Sequence, residues 1–114
     1  MTPAGEMKRR LRFEMRTGPV DDGYGNTVAG SWTSQFTVAA AVKYLLGSET
    51  VLAARLEGRQ PAVITVRTST NSKRITHEWR AVDTRSGAVY ALKEPPRDAG
   101  LGFLEMLAEL GVAA

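Results

Sequence analysis

The sequence predicts a mostly-β protein with one short α-helix, and three observations carry that reading. Residues 7–16 alternate between apolar and charged side chains, and residues 62–68 form a β-branched run. Helix start and stop signals together bracket one stretch, residues 48–57. At 114 residues the chain fits one domain, taken here as 1–114. Its 43% hydrophobic and 24% charged content is that of a globular protein rather than a disordered one.

The first element is the clearest. Met7, Arg9, Leu11, Phe13 and Met15 occupy one set of alternate positions, and Lys8, Arg10, Arg12, Glu14 and Arg16 the other. Successive strand side chains point to opposite faces, so this is a strand with an apolar and a charged face, broken only by Arg9. Residues 17–34 then read as a long loop, with Gly18, Pro19, Gly23, Gly25, Asn26 and Gly30 as turn formers beside Asp21 and Asp22. A loop of that length in a small domain is usually functional, and Trp32 would anchor its end to the body.

Phe36 to Leu46 is rich in Val and Ala and reads as a buried strand that Gly47–Ser48 stops. Ser48 can cap the helix that follows, Glu49 complements its dipole, and Gly58 suits its exit. Pro61 marks the next boundary. Ala62–Thr68 is a strand, residues 69–74 a polar turn, and Thr76–Val82 and Ala88–Lys93 two strands joined by a hairpin turn at Asp83–Gly87. Pro95–Pro96 ends that segment. Residues 101–110 fit a helix through Leu104, Leu107 and Leu110, and a strand through Leu104, Met106, Ala108 and Leu110; periodicity leaves both open.

Composition narrows the function classes. The chain has no cysteine, which removes disulfide frameworks and thiolate metal sites and suits a reducing cytosol. Its longest apolar stretch, residues 38–46, is broken by Lys43 and too short to span a bilayer; the N-terminal bases precede no apolar run. A soluble intracellular protein with no membrane partner is expected. The net charge of +3 is concentrated in residues 1–20, where Lys8, Arg9, Arg10, Arg12 and Arg16 face only Glu6 and Glu14.

No set of residues suggests catalysis. His77 is the single histidine and has no second ligand for a metal. Asp21–Asp22 lacks the alternating acids of a calcium loop, and Gly23-Tyr24-Gly25-Asn26 lacks the Lys-Ser/Thr and helix of a phosphate cradle. No enzyme activity, cofactor or metal is expected. The positive feature is the row Lys8, Arg10, Arg12 and Arg16, suited to phosphate or an acidic subunit surface, or equally to the solvated side of an edge strand. Aromatic residues are scattered, which weighs against a base-stacking platform for single strands.

The order of elements resembles the phage head–tail joining family, also called head-completion or stopper proteins, with the related gene-transfer-agent neck proteins. Ala4-Gly5 and the basic strand come first, then Asp22-Gly23-Tyr24-Gly25-Asn26 leading to Trp32. A buried strand, Gly47-Ser48-Glu49 and a short helix follow. Val66-Arg67, Ile75, Trp79-Arg80-Ala81-Val82, Gly87 to Tyr90 and Phe103 to Leu107 complete the series. Met7-Lys8 and Lys93-Glu94 depart from the family pattern. The resemblance implies a small β-barrel or sandwich-like sheet of about six strands, and it tips residues 101–110 toward strand. It also implies a homo-oligomeric ring in the particle neck, with the portal or adaptor on the head side and the tail terminator or tube on the tail side. Double-stranded DNA would pass through non-specifically and be retained, and assembly would occur in the bacterial cytoplasm. Lys8, Arg10, Arg12, Arg16, Asp22, Tyr24 and Asn26 are the residues expected to face a neighbouring subunit or the DNA channel. The alternative is a small basic β-barrel that binds nucleic acid directly.

Overall fold

The computed structural model describes residues 7–16, 20–21, 23, 27–28 and 30–111. Its strands are β1 (Arg9–Arg16), β2 (Val20–Asp21), β3 (Thr27–Val28), β4 (Trp32–Tyr44), β5 (Gln60–Arg67), β6 (Arg80–Asp83), β7 (Val89–Leu92), β8 (Arg97–Gly100) and β9 (Phe103–Leu110). The helix α1 (Glu49–Leu56) joins β4 to β5, and a 3-10 turn covers Ser72–Arg74.

Six strands close into an antiparallel barrel in the order β4-β1-β6-β7-β9-β5, with β5 pairing back onto β4. Closure leaves these strands without the long exposed edges that invite aggregation. Alternate residues fill the interior: Leu11 and Phe13 from β1, Ile64 and Val66 from β5, Tyr90 and Leu92 from β7, and Leu104, Met106 and Ala108 from β9. The mostly-β, single-helix barrel matches the expected fold class.

Residues 101–110 settle as strand because β9 pairs with β5 along its whole length, from Phe103↔Arg67 to Leu110↔Gln60. A helix there would leave β5 unpaired on one side. Four boundaries differ from the sequence reading. Pro61 lies inside β5 rather than before it, and its carbonyl accepts from the Leu45 amide at 3.0 Å. Proline is tolerated near a strand start, where a missing N–H costs little. Residues 76–79 are not strand: the chain crosses the upper end of the barrel there, burying Ile75 and Trp79 in the core. Pro95–Pro96 interrupts rather than ends its segment, since β8 resumes on the same edge of β9 that β7 uses. The stretch 17–34 holds the paired β2 and β3, and β4 already begins at Trp32.

The helix forms as its capping residues predict. The Ser48 hydroxyl accepts from the Val51 amide at 3.1 Å, Glu49 sits in the first turn and Arg55 in the last. Val51 and Ala54 are buried against the barrel, while Leu52 and Leu56 face outward. β9 ends beside the turn that follows this helix: a Cβ on Gly111 would stand 2.4 Å from the Gly58 carbonyl oxygen.

Candidate interaction surface

The outer face of β1 is shaped by one irregularity in its partner. Arg9 to Phe13 pair with Ala40 to Phe36 in step, but Glu14 then pairs with Ser34, leaving Gln35 as an extra residue on β4. Phe36 points into the barrel and stacks on Phe13 with ring centroids 5.3 Å apart. Without the bulge, Ser34 and Trp32 would follow Phe36 inward, because strand side chains alternate. With it, both turn outward beside Glu14 and Arg16. The bulged Gln35 accepts from Arg74 at 3.0 Å and donates to the Thr33 carbonyl at 3.2 Å.

Glu14 organises this face. It is 5% exposed. Its carboxylate accepts from Arg80 Nε at 2.7 Å, from Arg12 Nε at 2.8 Å and from the Ser34 hydroxyl at 3.3 Å. Burial opposes its ionisation, but the hydrogen bonds and charges of Arg80 and Arg12 outweigh that and hold the carboxyl below its usual range. Trp32 lies next to this group, with the Arg16 guanidinium 4.6 Å and the Arg80 guanidinium 4.4 Å from its ring centroid.

The predicted basic row is therefore not uniform. Lys8 and Arg10 are exposed, and among the described residues no ion pair holds them. Arg12 is drawn onto Glu14, and Arg16 is exposed but laid over Trp32. Asp22, Tyr24 and Asn26 fall outside the described residues. Arg80, Ser34 and the exposed leucines of α1 were not among the predicted contacts. Arg80 could have been noticed as a lone cation in an apolar strand, whereas the approach of Ser34 to Glu14 depends on the bulge.

Arg9, the exception on the apolar side, closes the lower end of the barrel. Its guanidinium donates to Asp83 at 3.2 Å and to the Tyr90 hydroxyl at 3.5 Å, and the Tyr90 and Tyr44 hydroxyls are 2.8 Å apart. Burial opposes the charge on Asp83, but the amides of Arg85 and Ser86 and the Arg9 guanidinium hold its carboxyl below the usual carboxylate range. Burial and the hydrogen bond with Tyr44 push the Tyr90 phenol well above its ordinary value. Among the described residues no buried side-chain polar atom lacks a partner, and no three metal-ligating side chains converge. His77 is exposed in a turn. No described helix is long and apolar enough to cross a membrane.

With this geometry in view, the comparisons with known proteins are specific. The phage head completion protein family model matches residues 2–111. This chain belongs to that family. Membership makes it a structural component of a phage-type particle. The fold is similar to the solution structure of protein SF1141 from Shigella flexneri 2a, with a TM-score of 0.67 at 20% identity over 99% of this chain and 100% of that one. It is also similar to a chain in the virion of a native gene transfer agent particle, with a TM-score of 0.63 at 23% identity over 94% and 96%. At these identities the likeness establishes the shared fold alone. No curated protein matches the chain.

Proposed function

We propose that this head completion protein forms a homo-oligomeric ring in the particle neck, between the DNA-filled head and the tail. The family match across residues 2–111 is the observation that carries the reading. In this role the ring meets the portal or adaptor on one side and the tail terminator or tube on the other, after assembly in the bacterial cytoplasm. The role is structural, with no reaction to perform. Packaged double-stranded DNA passes through the ring and is retained there, contacted through its backbone by exposed cations such as Lys8 and Arg10. Asp22, Tyr24 and Asn26, in the segment between β1 and β4, are proposed to reach a neighbouring subunit or the channel.

Direct nucleic-acid binding by the isolated barrel is less well supported. Two of the outward cations, Arg12 and Arg80, already bind Glu14, and the Trp32 ring is occupied by guanidinium groups rather than open to a base. The test of the neck role is imaging of particles made without this chain. Heads lacking stably joined tails are expected, and particles with normally attached tails would end the proposal.

A further inference from the structure

The turn between β5 and β6 is built more firmly than a connector needs to be. Ser72 is 1% exposed; its hydroxyl accepts from the Ser69 amide at 2.8 Å and donates to the Arg67 carbonyl at 2.8 Å, folding the turn back onto the end of β5. The Thr68 amide donates to the Gly102 carbonyl at 2.8 Å, and Ile75 and Trp79 fix the far side of the turn to the core. Arg74 donates to Gln35 at 3.0 Å, which ties the turn to the bulge of β4.

Three cations stand on this rigid tip. Arg67, Lys73 and Arg74 are exposed, residues 67–77 contain no acid, and among the described residues no ion pair holds any of the three. By contrast Arg9, Arg12, Arg59, Arg80, Lys93 and Arg97 each have a carboxylate partner. What orients the Arg67 and Arg74 guanidinium groups is neutral: the Phe103 ring at 5.6 Å, the Trp79 ring at 5.8 Å, and the Gln35 amide. A ring or an amide positions a cation without cancelling its charge, so the tip keeps its field for an anion from outside.

The side chains between the cations identify that anion. Thr68, Ser69, Thr70 and Asn71 are exposed hydroxyl and amide groups, the kind that join Arg and Lys on phosphate oxygens. No apolar side chain is exposed between residues 67 and 77, so the tip lacks the anchor on which a protein interface is built. The Phe103 and Trp79 rings are each 7% exposed, too buried to stack on a base.

We infer that the 67–77 turn contacts the phosphate backbone of double-stranded DNA in the particle neck, without reading its sequence. A tip already held rigid gives up little conformational entropy on making that contact. The inference rests on the neck-ring reading and adds to it a backbone contact besides those of Lys8 and Arg10.

The chain has no cysteine, so an introduced thiol is the only one present. The turn and α1 lie at opposite ends of β5, roughly 23 Å apart by the rise of a strand from Gln60 to Arg67. The Thr70→Cys chain, carrying a short thiol-linked aryl azide, is added to DNA-filled heads made without this protein and irradiated. It should give a protein–DNA adduct, whereas Leu56→Cys on α1, 90% exposed, should not. No adduct from Thr70→Cys, or equal adducts from both, would overturn the contact. A second arm uses Thr70→Glu/Lys73→Glu, two exposed side chains that take no part in the hydrogen bonds of the turn. Its circular dichroism and its joining to heads should be unchanged, while the fraction of heads that keep their DNA falls. Undiminished retention would overturn the part assigned to charge, and failed joining by the folded variant would assign the turn to a protein partner instead. Heads that take up neither labelled chain would overturn the neck reading itself.

Discussion

The two faces of β1 handle charge in different ways. Inward, Arg9 is the one cation among Leu11 and Phe13, and its Asp83 partner also accepts from the Arg85 and Ser86 amides of the turn that follows β6. Outward, four cations alternate with one carboxylate, and Glu14 holds only the near ones while Lys8 and Arg10 stay in solvent. On both faces the buried member is a carboxylate, Asp83 inside and Glu14 outside, and a buried carboxylate left unpaired is costly, whereas exposed cations such as Lys8 and Arg10 need no partner. The inner face thus specifies the fold, and the outer face has residues to spare for contacts.

That contrast can be broken in a graded series. Phe13→Ala, at a position with no exposure and stacked on Phe36, should cost about 3–5 kcal/mol, read from the urea midpoint. Glu14→Gln leaves Arg12 and Arg80 without their shared anion and should cost about 1–3 kcal/mol by the same measurement. A loss as large as that of Phe13→Ala would show that the outer face is as structural as the inner.

The pH dependence sharpens the comparison further. Glu14 and Asp83 both have pKa values lowered from the ordinary carboxylate range, so each stabilises the fold above about pH 4 and loses that contribution as pH falls through its lower folded value. Either Glu14→Gln or Asp83→Asn should flatten the acid limb of a stability–pH profile. Tyr90 is shifted the other way: its neutral form is favoured in the barrel, so stability present below about pH 10 is lost above it, and Tyr90→Phe should remove that alkaline dependence. The smallest effect is expected at Leu56→Asp, 90% exposed, which should change stability by no more than about 0.5 kcal/mol in the same urea measurement.

Much of the barrel was legible in the chain. Alternation in residues 9–16 identified β1 and its inward pair Leu11 and Phe13, and Ser48 with Glu49 located the start of α1. Those signals are local: a strand period of two or a capping hydroxyl is complete within a few residues. The candidate surface was legible only in part. Lys8, Arg10, Arg12 and Arg16 were visible as a row, but nothing in the sequence separates Arg12, bound to Glu14, from Arg16, which flanks Glu14 equally and lies over Trp32 instead.

By itself the sequence determined the β-rich class, the single helix, the basic first strand and the order of motifs that marks the family. Tertiary structure decided the rest. Residues 101–110 became β9 because β5 offered a full-length partner, and Pro95–Pro96 became a break rather than an end because β9 extends past it. The bulge at Gln35 sent Trp32 outward to meet Arg16 and Arg80, two residues 64 positions apart in the chain. The physical reason is common to all three. Pairing partners and bulges are set by hydrogen bonds between segments distant in sequence, and no local pattern encodes which segment will arrive.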